Sequence, residues 1–180
     1  MLKLMYITNS PEVASIADGA GVDRIFIDLE QYGKEKRQKN WDSVKSKHSI
    51  SDIPKVKSAV KNAQIFVRTD PIFDGFSDEL EGVLACEPDV VMLPYFKTVR
   101  EVETFIKAVD GRATTSLLLE TREAAEQIDD IISVGGIDEI HIGLNDLSHS
   151  YGKKFLFEEL ADGTVDRLVA VSYTHLRAHE

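Results

Sequence analysis

Several things are scarce in this sequence, and each shortage removes a class of function. Cys86 is the single cysteine, which excludes a disulfide framework and a thiolate metal cluster and suits a reducing cytoplasm. Basic residues are few: 21 Lys and Arg face 31 Asp and Glu, a formal charge of −10, so there is no general electrostatic footprint for nucleic acid or an anionic membrane. The one basic run, KEKRQK from Lys34 to Lys39, is interrupted by Glu35 and lacks interleaved aromatics for base stacking, and it reads as a solvated helix end or loop. No stretch approaches the ~18 apolar residues of a spanning helix, and the N-terminal MLKLMYITNSPEV has neither a long apolar region nor a small-residue cleavage site. No G-x-G-x-x-G or P-loop follows any apolar run, which argues against a nucleotide-binding open sheet.

What is present is one repeated grammar. With 180 residues, 43% hydrophobic and 29% charged, the chain has the material for a single globular domain with a real core. Leu2–Thr8 reads as a strand, and Ser10-Pro11 starts a helix that reaches about Asp18, with Ser10 at the N-cap and Pro11 at the first helical position. Val22–Glu30 is a second strand, followed by a polar excursion from Gln31 to Ser49 that is long for a connection and therefore a candidate functional loop. A helix over Ile50–Asn62, a strand over Ala63–Arg68, a helix over Ser77–Cys86, a strand over Asp89–Leu93 stopped by Pro94, and a helix over Thr98–Val109 complete the first part. Apolar strands between amphipathic helices predict a parallel sheet covered by helices, and a (β/α)8 TIM barrel is favoured over an open doubly wound sheet. The reason is chemical: Asp28 and Glu30, Arg68 and Asp70, Glu120, Asn145 and Asp146 all fall at the carboxyl ends of successive strands, the rim where such barrels keep their chemistry.

The stretch from Thr114 to Gly152 organises this reading. An apolar run ending at Glu120, an amphipathic segment and a second apolar run, EIHIGLND, ending at Asp146 form a strand-helix-strand unit with parallel strands. Neighbouring strands lie about 5 Å apart, so Glu120 and Asp146 are expected side by side on one rim. Two such acids repel unless a cation or proton lies between them, and an oxygen-only pair suits a hard divalent ion, Mg²⁺ or Mn²⁺. The alternative for both is helix N-capping. Arg68 has its own alternative, a rim salt bridge to Asp28 or Asp70, and Asp28 and Glu30 are expected to support the rim, one facing the interior and the other the helix layer. His141, within a strand, is expected to be a hydrogen-bonded core imidazole. His149 is a candidate to reach the metal site, His48 is a candidate base carried on the excursion, and Tyr32 and Trp41 read as loop packing.

Together IFIDLE, FVRTDP, VVMLPYFKTVREVETF, LLLET and GIDEIHIGLNDLSHSYG resemble the HpcH/HpaI aldolase and citrate lyase family of the phosphoenolpyruvate/pyruvate barrel superfamily, in colinear order from residue 4 to about 152. The excursion and FEELADGTVDRL are most similar to members associated with polysaccharide or lipopolysaccharide biosynthesis. The resemblance implies Glu120 and Asp146 as metal ligands and Arg68 as the catalytic contact to a 2-oxo acid such as pyruvate. It also implies that the backbone of Gly143, Leu144 and Asn145 holds the substrate carboxylate. The chemistry is then carbon–carbon lysis of aldolase type through a metal-stabilised enolate. The sequence departs from the family's better-known aldolases at two points. Gln31 stands where their motif has a histidine and cannot be a general base, and Leu118 stands where they have a substrate-contacting glutamine. A citrate-lyase or malyl-thioester-lyase type of enzyme, or a non-catalytic carboxylate-binding barrel, is the other reading.

A complete barrel commonly takes ~250 residues. Residues 1–170 are therefore expected to be a partial barrel of about six βα units with its last strands missing, exposed at its first and sixth strands and unstable or prone to aggregate alone. VSYTHLRAHE, residues 171–180, reads as a non-native tail joined to a truncated frame. The intact product is expected to be a cytoplasmic homo-oligomer.

Overall fold

The computed structural model describes residues 2–33 and 47–176. The basic run Lys34–Lys39, Trp41 and the last four residues of the chain lie outside the described residues. Two compact units are present, Met1–Met92 and Leu93–Glu180.

In the first unit the strands are β1 (Met5–Ile7), β2 (Arg24–Asp28), β3 (Gln64–Arg68) and β4 (Val90–Leu93, whose last residue opens the second unit). Each pairs in parallel with the next, with Asp28 opposite Arg68 and Arg68 opposite Met92. The helices between them are α1 (Pro11–Gly19), α2 (Asp52–Lys57) and α3 (Phe76–Leu84). Side chains alternate across a strand, and here the alternation separates two environments. Ile25, Ile27, Ile65 and Val67 form one fully buried apolar face. The other face is a column of cations and rings. Arg24 donates to Gln64 at 3.0 Å and lies over the Phe66 ring, Phe66 meets Phe26 edge-on at 5.0 Å, and Arg68 lies 5.5 Å from the Phe26 centroid. β1 is the exception, with Met5, Tyr6 and Ile7 all exposed.

Local signals set the helix starts. Ser10 caps α1 by accepting the Val13 N–H, and Pro11 opens it. The helix predicted over Ile50–Asn62 stops at Lys57, because the buried Asp18 carboxylate of α1 takes the N–H groups of Lys61, Asn62 and Ala63 at 2.7–3.0 Å and turns the chain into β3. A tertiary acceptor thus overrides local helix propensity.

The second unit holds α4 (Val99–Val109), β5 (Thr114–Leu119), α5 (Arg122–Glu126), α6 (Ile128–Ile132), β6 (Glu139–Ile142), α7 (Leu144–Ser150), α8 (Glu158–Ala161) and α9 (Thr164–Leu176). Thr98 and Glu101 form a reciprocal capping box at the start of α4. β5 and β6 are parallel, Leu119 opposite Ile142. Leu117 and Leu119 are fully buried, as are Val102, Phe105, Ile128, Ile131 and Leu168 from the helices. The amphipathic segment after β5 is two short helices meeting at Gln127, whose amide donates to the carbonyls of Lys97 and Glu123. α9 runs through the first six residues of the segment read as a non-native tail.

Phe66, with no exposed surface, is the keystone of the ring column. Phe66→Ala is expected to cost about 3–5 kcal/mol, from lost burial and the cavity left behind, read as a shift of the urea midpoint.

Candidate active site

The carboxyl ends of β2 and β3 carry a cluster around Arg68. The guanidinium binds Asp28 with two parallel hydrogen bonds, Nε to Oδ1 and Nη2 to Oδ2, both 2.8 Å, and Nη2 also lies 3.3 Å from Glu30 Oε2. Asp28 and Glu30 are each 4% exposed, so two acids share one cation with little solvent. This corrects the expectation that the two acids face opposite layers. They stand two residues apart and reach the same arginine, as the alternation itself requires. It also shows the rim salt bridge as the arrangement Arg68 adopts, with Asp28 rather than Asp70. Such planar, bidentate, charge-assisted pairing fixes the guanidinium in orientation.

Asp70 serves the next segment instead. Its Oδ1 accepts the N–H groups of Gln31 at 2.6 Å and Tyr32 at 2.7 Å, while the Asp70 N–H donates to Glu79 Oε1 at 3.0 Å. Gln31 is placed by its backbone, and its side-chain amide donates to the His48 carbonyl at 3.4 Å. Tyr32 stacks on Phe73 with centroids 4.9 Å apart, as loop packing predicts. His48 is buried, and its Nδ1 accepts the Asp28 N–H at 2.9 Å.

The second constellation stands at the ends of β5 and β6. Glu120, 5% exposed, follows the last residue of β5, and Gly143 follows the last residue of β6 and donates its N–H to the Leu119 carbonyl. Glu120 Oε1 accepts the Tyr95 N–H at 3.0 Å. Its other oxygen lies against the bare Cα of Gly143. A Cβ at that position would stand 2.8 Å from Glu120 Cβ, 2.9 Å from Oε2 and 3.3 Å from Leu118 Cδ1, so this glycine is required by close approach. Leu118 therefore gives the face shared with Glu120 an apolar lining.

N-capping does not explain either acid. Thr121 caps α5 through the Ala124 N–H, and its own hydroxyl donates to the Phe96 carbonyl. Gly143 stands at the cap of α7, which puts Asp146 inside the first helical turn rather than at the end of the strand expected to run to it. Leu144 and Asn145 occupy the same turn, where backbone N–H groups precede the first intrahelical bond.

One histidine expectation changes. His141 is not a core imidazole; it is 28% exposed beside Glu139, with Nε2 3.5 Å from Oε2. His149 is exposed on α7. Two residues were not among the sequence candidates. Glu79 is a helical acid with no motif to announce it. Tyr95 acts through its backbone, which takes φ +50° after Pro94. A bulky residue in that region is strained, and the dipeptide Pro94-Tyr95 was the only trace of it in the sequence.

Comparison with known proteins identifies the family. Residues 3–162 match the family HpcH/HpaI aldolase/citrate lyase. The chain belongs to that family. No curated protein matches the chain in sequence. Among solved structures, an HpcH/HpaI aldolase/citrate lyase family protein from Burkholderia cenocepacia is similar with a TM-score of 0.77 at 13% identity, over 96% of this chain and 76% of its own. The citrate synthase SbnG is similar at 0.75 and 18% identity, over 96% and 73%. The citrate lyase beta subunit from M. tuberculosis, solved with oxaloacetate and magnesium, is similar at 0.62 and 18%, over 96% and 73%. These likenesses establish the fold, α/β with six parallel strands, a partial (β/α)8 TIM barrel of the aldolase/citrate lyase type. At the coarse level the family makes this a lyase-type enzyme. Among the described residues no helix is long and apolar enough to cross a membrane.

The Glu120 carboxylate is an oxygen donor of the kind that the family's divalent metal takes. Among the described residues no three His, Cys, Asp or Glu side chains form a metal cage. Mg²⁺ accepts one or two carboxylates when substrate and water complete its shell.

Glu79 provides a pH test of the first cluster. Burial pushes its carboxyl up from the ordinary 4.5 to about 7, the Asp70 carboxylate adds to this, and the Asp70 N–H opposes it. The folded protein therefore holds this proton more tightly than the unfolded chain. The stabilisation is complete below pH 4.5 and is lost as pH rises to about 7. Thermal midpoints are expected to fall across that window, and Glu79→Gln is expected to flatten the profile there.

Proposed function

We propose that this protein is a metal-dependent carbon–carbon lyase of aldolase type, acting on a 2-oxo acid such as pyruvate. The observation that supports it most is the Glu120 carboxylate. It is buried, oriented by the Tyr95 N–H, and laid against a glycine that precedes by three residues a second acid, Asp146.

In this reading Glu120 and Asp146 hold Mg²⁺ or Mn²⁺. The bound cation supplies Lewis acidity that lowers the cost of negative charge on a keto oxygen. The remaining work belongs to the chain. Tyr95 fixes one oxygen of Glu120 so that the carboxylate needs no reorganisation, and Leu118 keeps water from that face. The N–H groups of Gly143, Leu144 and Asn145 receive the substrate carboxylate. Arg68, permanently cationic and held by Asp28 and Glu30, contacts the 2-oxo acid, a role that rests on its place in FVRTDP. Asp70 and Gln31 support the chain beside it, and His149, exposed on α7, has no assigned step. Gln31 cannot take a proton, so the base is another group.

A second reading draws on the citrate lyase beta subunit solved with oxaloacetate and magnesium. In a citrate-lyase or malyl-thioester-lyase type of enzyme the same metal pair would serve a related carboxylate, and Leu118 in place of a polar contact suits an altered pocket. A non-catalytic carboxylate-binding barrel is the limiting case if no base exists. Use in polysaccharide or lipopolysaccharide biosynthesis, a cytoplasmic location and a homo-oligomeric assembly belong to the same proposal.

Exchange of pyruvate methyl protons for deuterium, followed by NMR with and without Mg²⁺ or Mn²⁺, tests enolisation without the unknown second substrate. Metal-dependent exchange is expected, and Glu120→Gln is expected to abolish it. Absence of exchange in a folded sample would remove the pyruvate reading and favour the thioester lyase or the binding protein. Independently, Gly143→Ala is expected to weaken Mn²⁺ affinity by about 10-fold or more, because the methyl group displaces the Glu120 carboxylate. Isothermal titration calorimetry reads that change directly.

A further inference from the structure

His48 is buried at the end of the long excursion, 20 residues after Asp28, and no motif connects the two. Its Nδ1 accepts the Asp28 N–H at 2.9 Å. A ring nitrogen that accepts carries no proton, so the neutral imidazole bears its proton on Nε2. Two consequences follow. His48 does not act as the displaced base: with Nδ1 engaged and Nε2 protonated, it accepts a substrate proton only by giving up Asp28. It also holds in place the backbone of the residue whose carboxylate grips Arg68 through both oxygens. The grip depends on where that backbone stands, since both bonds are 2.8 Å and leave no slack.

We propose that His48 is a positioning residue for Arg68, acting as a neutral Nδ1 acceptor that fixes the Asp28 backbone and, through it, the guanidinium. This rests on the reading of Arg68 as a contact to the 2-oxo acid only for its functional consequence. The structural chain from His48 through Asp28 to Arg68 stands apart from that reading.

The test uses the full chain labelled with ¹⁵N and three variants of one position. Long-range ¹H–¹⁵N correlation reads the His48 tautomer, its signal being assigned by its loss in His48→Asn. Protection of the Arg68 Nε–H against solvent exchange reads the grip. The expected result is a His48 with Nδ1 unprotonated and a protected Arg68 Nε–H. His48→Asn, whose side-chain oxygen takes the place of Nδ1, keeps that protection within about 3-fold, while His48→Leu and His48→Ala lose at least about 10-fold. Pyruvate affinity with Mg²⁺ present follows the same order, with kcat falling less than KM rises. A proton on Nδ1 overturns the proposal, and so does protection in His48→Leu equal to wild type. Equal loss of turnover in the Asn and Leu variants at unchanged KM also overturns it, because that pattern belongs to a proton carrier. If the tautomer and the protection behave as stated while wild type binds no 2-oxo acid, the positioning of Arg68 is supported and its reading as a substrate contact falls.

Discussion

One cation divided between two buried acids governs the first unit. Asp28 and Glu30 leave water at the end of β2, and an unpaired carboxylate in that environment would cost several kcal/mol. Arg68 meets both because β2 and β3 pair in parallel with Asp28 opposite Arg68. The neighbouring groups are then committed in turn: the Asp28 N–H to His48, Asp70 to the backbone of Gln31 and Tyr32, and Glu79 to the backbone of Asp70. A cluster this connected resists substitution at any one member, since removal of one partner strands another.

The second unit solves a related problem by different means. Glu120 is almost as deeply buried as Asp28, and one of its oxygens accepts a backbone N–H presented by a tyrosine in the left-handed region. Strain of about 1–3 kcal/mol is typical of such positions and persists where surrounding structure over-determines it. Here the anchors are visible: Thr121 on the Phe96 carbonyl, Gln127 on the Lys97 carbonyl and Lys97 on Glu123. A backbone amide orients a carboxylate without bringing a full charge to it, whereas the guanidinium on Asp28 does both.

Much of this was legible in the sequence. Strand-helix alternation, the Ser10 and Thr98 caps and the acids at the ends of β2 and β5 come from local patterns that the fold respects. What local pattern could not carry is tertiary. α2 ends early because Asp18, some 40 residues distant, captures three N–H groups. Asp146 moved into a helix because the pairing of β6 stops at Ile142, and the apolar run beyond it belongs to the first turn of α7. Tyr95 was missed because it acts through its backbone, and His48 because no spacing rule links it to Asp28. Asp28 and Glu30 reach one arginine, as the two-residue period of the run Val22–Glu30 already implies.

The excursion after β2 is pinned at both ends. Asp70 holds Gln31 and Tyr32 at its start, and Asp28 holds His48 at its finish. Both pins are members of the cluster at the ends of β2 and β3: Asp28 grips Arg68 through both oxygens, and the Asp70 N–H holds Glu79. A substitution at either pin is therefore felt twice, once in the guanidinium cluster and once where the chain enters or leaves the excursion. Substrate-side evolution of this rim is thereby confined to positions that neither pin occupies.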